Sequence, residues 1–240
     1  MSSYCELVSD TYKLILSIVP KSGCTFVSEW YVRDILNYKN HDIDAVKYII
    51  NNTLYKNIYN YENYTGYTYY LFIRCPIERC ISCFINKFVK RYDININYYN
   101  LEPAFKSLLD KYNYTSITFN IFLDIIEDEL KNKNDKDIHI NYQIDKLKII
   151  NLKKYCNIEV VKINDLSKKI TELSKQLNII PSFNYCDKMN MSIYNDQSGT
   201  DITDTISYDI VSPNILDFKL AFPRILKIYC IDKEFFDTNG

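Results

Sequence analysis

Lys21, Ser22, Gly23, Cys24, Thr25 and Phe26 follow directly on an apolar run in LILSIVPKSGCTFVSEW (residues 14–30). A lysine, two hydroxyls and a glycine between a strand-like and a helix-like stretch have the makings of an anion site. Backbone N–H groups of such a loop can wrap a phosphate, and Gly23 lets the backbone approach closely. The helix that follows points its positive end at the ligand, and Lys21 adds a mobile point charge. The same residues also describe a plain strand–turn–helix with a solvated lysine. The loop lacks the GxxxxGK[ST] order of nucleotide-kinase loops, because its lysine precedes the glycine.

A second segment, LFIRCPIERCISCFINKF (residues 71–88), places Arg74 after another apolar run, with Arg79 and Ser82 beyond Pro76. Arg79 and Ser82 are three apart and share a helix face. An arginine fork suits a phosphate, and a hydroxyl fills a remaining acceptor. The competing possibility is an arginine paired with Glu78 or with a surface carboxylate. For proton abstraction the chain offers two histidines, His41 and His139, and carboxylates such as Glu29. Cys80 and Cys83 share a helix face near Cys75, but no fourth soft ligand or HxxxH accompanies them, so no metal is expected.

Strands and helices must alternate to position these groups. Lys13 to Val19 reads as a strand, followed by a helix across about Thr25 to Leu36. Ala45 to Asn51 suggests a short helix within an Asn- and Tyr-rich stretch. Tyr69 to Ile73 reads as a second buried strand, and Pro76 suits the first turn of a helix continuing over Ile77 to Tyr92. Residues 104 to 112 and 119 to 131 predict two more helices, with Thr118 capping the second. Asn157 to Ile163 reads as a third strand, and a helix runs from Asp165 to about Leu177. Residues 182 to 213 read as an irregular lid, before a last helix from Asn214 to Phe235 broken at Pro223. The pattern predicts an α/β fold with a mainly parallel sheet, in one domain spanning residues 1–240.

With 47% apolar and 25% charged residues the chain has the composition of a globular protein. Its net charge of −1 gives no global attraction to nucleic acid, so anion binding must be local. No apolar run approaches the roughly 20 residues that span a bilayer. With no signal peptide visible either, a soluble, cytoplasmic protein is expected. The eight cysteines are scattered, as suits free thiols.

Taken together, the two segments resemble the sulfotransferase pattern. VPKSGCTFV is similar to that family's loop for the 5′-phosphosulfate of 3′-phosphoadenylyl sulfate (PAPS). IRCPIERCISCFINKF resembles its 3′-phosphate motif, and closely the VRDPFERLVSAYRNKF of the carbohydrate branch. DIHINYQ (residues 137–143) resembles that branch's His-Trp-x-Pro-Gln segment, and ILKIYCIDKEFF resembles its C-terminal iYxxDFelF. Cys75 stands where the family usually has Asp, Ile140 where it has Trp, and Tyr142 where it has Pro. The resemblance covers about residues 13–236 and implies a single P-loop-like domain with helices flanking the sheet. It implies metal-free sulfuryl transfer from PAPS to an acceptor hydroxyl, on a carbohydrate, releasing 3′,5′-ADP (PAP). Lys21 would be the main electrostatic catalyst. Residues 21–26 with Arg74, Arg79 and Ser82 would hold the nucleotide, and His41 or His139 would be the base. A different P-loop nucleotide enzyme, or a non-catalytic nucleotide-binding protein on the same fold, are the alternatives.

Overall fold

The computed structural model describes residues 5–38, 58, 60–84, 103–114, 118–132, 139–181 and 218–239. It is a mixed α/β structure with a four-stranded, mostly parallel sheet, in the order β1 (Cys5–Ser9), β2 (Leu14–Ile18), β3 (Thr68–Ile73), β4 (Asn157–Lys162). Its eight described α-helices are α1 (Cys24–Trp30), α2 (Pro76–Phe84), α3 (Pro103–Lys111), α4 (Phe119–Asn132), α5 (Lys146–Leu152), α6 (Leu166–Gln176), α7 (Phe218–Ile228) and α8 (Cys230–Thr238). The chain divides into two compact units, each assembled from separate stretches. One comprises Met1–Ile73, Ile144–Ile206 and Asn239–Gly240; the other comprises Arg74–Gln143 and Ser207–Thr238.

The first unit holds the sheet. β2 and β3 are parallel, as are β3 and β4, while β1 runs antiparallel to β2. LILSI and TYYLFI are almost continuously apolar because both strands are buried along nearly their whole length. In β1, CELVS is interrupted by a glutamate, which conceals the strand from a reading of apolar runs. Glu6 is fully buried and is tolerated there because Lys148 of α5 forms an ion pair with it. The Tyr69 hydroxyl also donates to Glu6 Oε1 at 3.2 Å, and the Ile58 N–H to Oε2 at 3.4 Å. α5 is a second element that the apolar pattern conceals, and Asp145 caps it by accepting from the Lys148 N–H at 3.0 Å.

α1 passes without interruption into a π-helical turn (Tyr31–Ile35). Trp30 is completely buried, and its indole N–H donates to Ser174 Oγ of α6 at 3.0 Å. This bond between residues 144 positions apart joins α1 to α6 on the same apolar core as β2, Val27, Leu166 and Ile170.

The second unit is helical. α4 buries Phe119, Phe122, Leu123 and Ile126, and its first turn is capped by Thr118, whose Oγ1 accepts from the Ile121 N–H at 3.3 Å. The ring of Phe84 in α2 lies 5.0 Å from Phe119 and 5.3 Å from Phe122. Arg224 of α7 donates through Nη2 to Asp124 at 2.6 Å and to Glu127 at 3.0 Å on α4. The expected break at Pro223 is instead displaced to Tyr229. Pro223 sits exposed inside α7, and the helix tolerates its missing N–H. The expected short helix at 45–51, the lid at 182–213 and the continuation of α2 beyond Phe84 lie outside the described residues. Among the described residues no helix is long and apolar enough to cross a membrane.

Candidate functional site

In an open α/β sheet, ligands bind beyond the carboxyl ends of parallel strands. β2 delivers residues 19–26 to that edge of the sheet. Pro20 and Lys21 are the two central residues of a tight turn, closed by the Ser22 N–H donating to Val19 O at 3.1 Å. Proline at the first central position and a positive φ of 66° at Lys21 define a type II turn. The second central position normally takes glycine, because a side chain in the left-handed region meets its own backbone. Lys21 therefore occupies a strained position, and such strain collects where function demands a particular side chain.

Gly23 follows as the N-cap of α1, with φ 80° and ψ 16°. The first intrahelical bond runs from the Val27 N–H to Gly23 O at 3.0 Å. N–H groups before Val27 have no acceptor within the helix, and Gly23 has no side chain to cap them. Thr25 is exposed, Lys21, Cys24 and Phe26 are half-buried, and Ser22 is only 1% exposed. Ser22 therefore supports the turn from within, and its N–H is committed to Val19.

A Cβ on Gly23 would lie 2.5 Å from Leu166 Cδ2, and Leu166 is itself in the core. Gly23→Ala is accordingly expected to lower stability by about 1–3 kcal/mol, from left-handed strain plus forced repacking of Leu166. Urea unfolding at constant m value measures this; wild-type stability in the variant would contradict the assignment.

In the second unit, Arg74 is the first residue beyond β3. Its backbone N–H donates to Gln143 Oε1 at 2.8 Å, and its carbonyl accepts from Gln143 Nε2 at 2.8 Å. The Arg74 Nε reaches Glu78 Oε2 at 3.3 Å, so the pairing with Glu78 left open by the sequence is present. Ser82 is half-buried on α2. Arg79 is 2% exposed, and its Nη1 donates to Asn141 O at 2.7 Å. That guanidinium braces the 139–143 segment from behind, a use that spacing along a helix does not reveal.

His139 is half-buried in the turn that opens this segment, His41 lies outside the described residues, and Glu29 is buried in α1. Ile140, one of the departures from the family pattern, is fully buried and its carbonyl accepts from the Tyr229 hydroxyl at 2.8 Å. Tyr142, another departure, sets its ring edge-on to Tyr229 at 6.0 Å. Both departures are therefore packing changes inside the helical unit. Burial pushes the Cys80 thiol up, so it stays protonated and unreactive as a core residue. Among the described residues no cluster of His, Cys, Asp or Glu is arranged to hold a metal ion.

Gln143 and Asp232 were not singled out by motif spacing. Their only signal was position: Gln143 ends the DIHINYQ echo and Asp232 lies inside IYCIDKEFF. No curated protein and no solved structure matches the chain. A model of the sulfotransferase family matches residues 6–237, and the carbohydrate branch is consistent with that match. With that match running through the Lys21 turn, the Arg74 segment and both echoes, the chain belongs to the sulfotransferase family.

Proposed function

We propose that the protein transfers a sulfuryl group from PAPS to a hydroxyl group of a carbohydrate acceptor and releases PAP. The observation that carries this reading is Lys21, held at φ 66° in a turn that glycine would suit better, immediately before the uncapped start of α1. Within this reading the turn and the α1 N–H groups hold the 5′-phosphosulfate. Arg74 and Ser82 hold the 3′-phosphate, while Arg79 braces the 139–143 segment. The family match runs from residue 6 to residue 237 and supports reading the chain as one sulfotransferase-like domain.

The acceptor oxygen attacks sulfur in line and loses its proton to a base, for which His41 and His139 are the candidates. The bond from sulfur to the bridging phosphate oxygen breaks as the new O–S bond forms, and negative charge moves onto the departing 5′-phosphate. Lys21 and the loop N–H groups meet that charge as it develops, which makes their stabilisation greatest in the transition state. No step requires a metal.

Incubation with PAPS carrying labelled sulfate, across a panel of sugars, glycolipids and phenols, tests the proposal. Label is expected in a carbohydrate product together with stoichiometric PAP. PAP binding with no transfer to any acceptor would favour the non-catalytic alternative instead.

A further inference from the structure

We propose that Gln143 and Asp232 are positioning residues for the donor's 3′-phosphate, acting through Arg74; the proposal rests on the reading of Arg74 as a 3′-phosphate ligand. The Gln143 side-chain amide engages the Arg74 peptide twice, accepting from its N–H and donating to its carbonyl, each at 2.8 Å. A primary amide paired in this way acts as a one-residue strand and fixes the backbone from which the guanidinium extends. Pro76 restricts the intervening Cys75 to extended backbone, so Arg74 is constrained from both directions.

Gln143 is in turn fixed by Asp232 of α8, whose Oδ2 accepts from the Gln143 N–H at 2.8 Å. Gln143 and Asp232 are each 1% exposed, so the bond between them forms away from competing water. The same short segment is held at two further carbonyls, Ile140 O by Tyr229 and Asn141 O by Arg79. Three donor–acceptor contacts on residues 140–143, drawn from α2, α8 and the α7–α8 junction, are more than a surface turn needs. They hold the segment whose last residue, Gln143, makes both bonds to Arg74.

A fork misplaced by a fraction of an ångström loses its two-point contact with phosphate, while contacts elsewhere in the nucleotide are unaffected. Titration calorimetry with PAP and with ADP therefore separates positioning from general damage, since ADP has no 3′-phosphate. Gln143→Leu is expected to weaken PAP about tenfold or more while ADP affinity stays within about twofold of wild type. Asp232→Ala is expected to shift the ratio in the same direction. Asp232→Asn, which keeps an acceptor for the Gln143 N–H, is expected to restore most of it. If Gln143→Leu fails to fold, Gln143→Glu replaces it: the acceptor for the Arg74 N–H remains, the donor to its carbonyl is lost, and a smaller selective loss of PAP is expected. Equal weakening of PAP and ADP would show a merely structural role and overturn the proposal. An undiminished PAP preference in the variants would overturn it as well, leaving the reading of Arg74 intact. A wild-type protein with no preference for PAP would instead defeat that reading, and this proposal with it.

Discussion

Replacing Lys21 with alanine is expected to lower sulfuryl transfer by about two to three orders of magnitude, the loss typical for one charge-stabilising donor in a transition state. The turn geometry adds a second, separable expectation. Lys21 lies at φ 66°, where a side chain costs about 1–2 kcal/mol relative to ordinary backbone. Alanine keeps that cost, because it keeps a Cβ. Glycine removes it, at an offset of about 0.5–1 kcal/mol from its freer unfolded chain. Lys21→Gly should therefore be at least as stable as Lys21→Ala, and equally inactive. Thermal unfolding and transfer assays on the two variants check both halves. Substantial activity in either would remove Lys21 from the mechanism, and a glycine variant clearly less stable than alanine would contradict the type II turn.

The second large effect concerns stability. Lys148→Met is expected to destabilise the protein by about 3–5 kcal/mol, because it strands the buried Glu6 carboxylate without its cation. The defect should depend on pH in a definite direction. Burial already pushes the Glu6 carboxyl above its ordinary value, against the pull of Lys148. Removing Lys148 lets it rise further. Below the unfolded value, about 4.5 for this group, both states hold a neutral acid and the penalty is small. As pH rises from there through the folded value, the folded state binds the extra proton and stability falls. Urea unfolding at pH 4 and pH 7 should thus show a small deficit growing to the full one. Glu6→Gln added to Lys148→Met keeps an acceptor for the Ile58 N–H, places its amide NH2 against the Tyr69 hydroxyl, which can accept, and should recover most of the loss. An equal deficit at both pH values would contradict this account.

Much of this architecture was legible because burial and apolar sequence coincide. β2, β3 and β4 announced themselves as apolar runs, and Pro76 and Thr118 marked the starts of α2 and α4 through local chemistry. β1 and α5 stayed hidden for one shared reason. Each carries one partner of the Glu6–Lys148 ion pair, so each looks polar where it is most buried. No local pattern reports a compensation made 142 residues away. The expected final helix is present from Phe218 onward, but its interruption lies elsewhere: Pro223 suggests a break that the helix avoids, and Tyr229 marks the actual one.

The candidate site divides along the same line. Lys21, Gly23 and Arg74 could be named from residue type and from resemblance. That lysine would occupy the glycine position of the turn could not, since the sign of φ at Lys21 is decided by the closed structure. The clamp on Arg74 joins positions 69 and 89 residues apart, from Arg74 to Gln143 and from Gln143 to Asp232. The sequence showed those residues only as faint echoes of a family pattern, with no reason for their identity. The hydrogen bonds supply the reason.

The most direct test of the central claim is a comparison of PAP and ADP binding to the unmodified protein, without any acceptor. Each ligand carries two phosphates: PAP has one on the 3′ oxygen and one on the 5′ oxygen, while ADP has both in a 5′ diphosphate. A sulfotransferase with Arg74 and Ser82 in the proposed role should bind PAP at least about tenfold more tightly, as expected for an arginine–phosphate contact. Equal affinity for the two nucleotides would contradict the account.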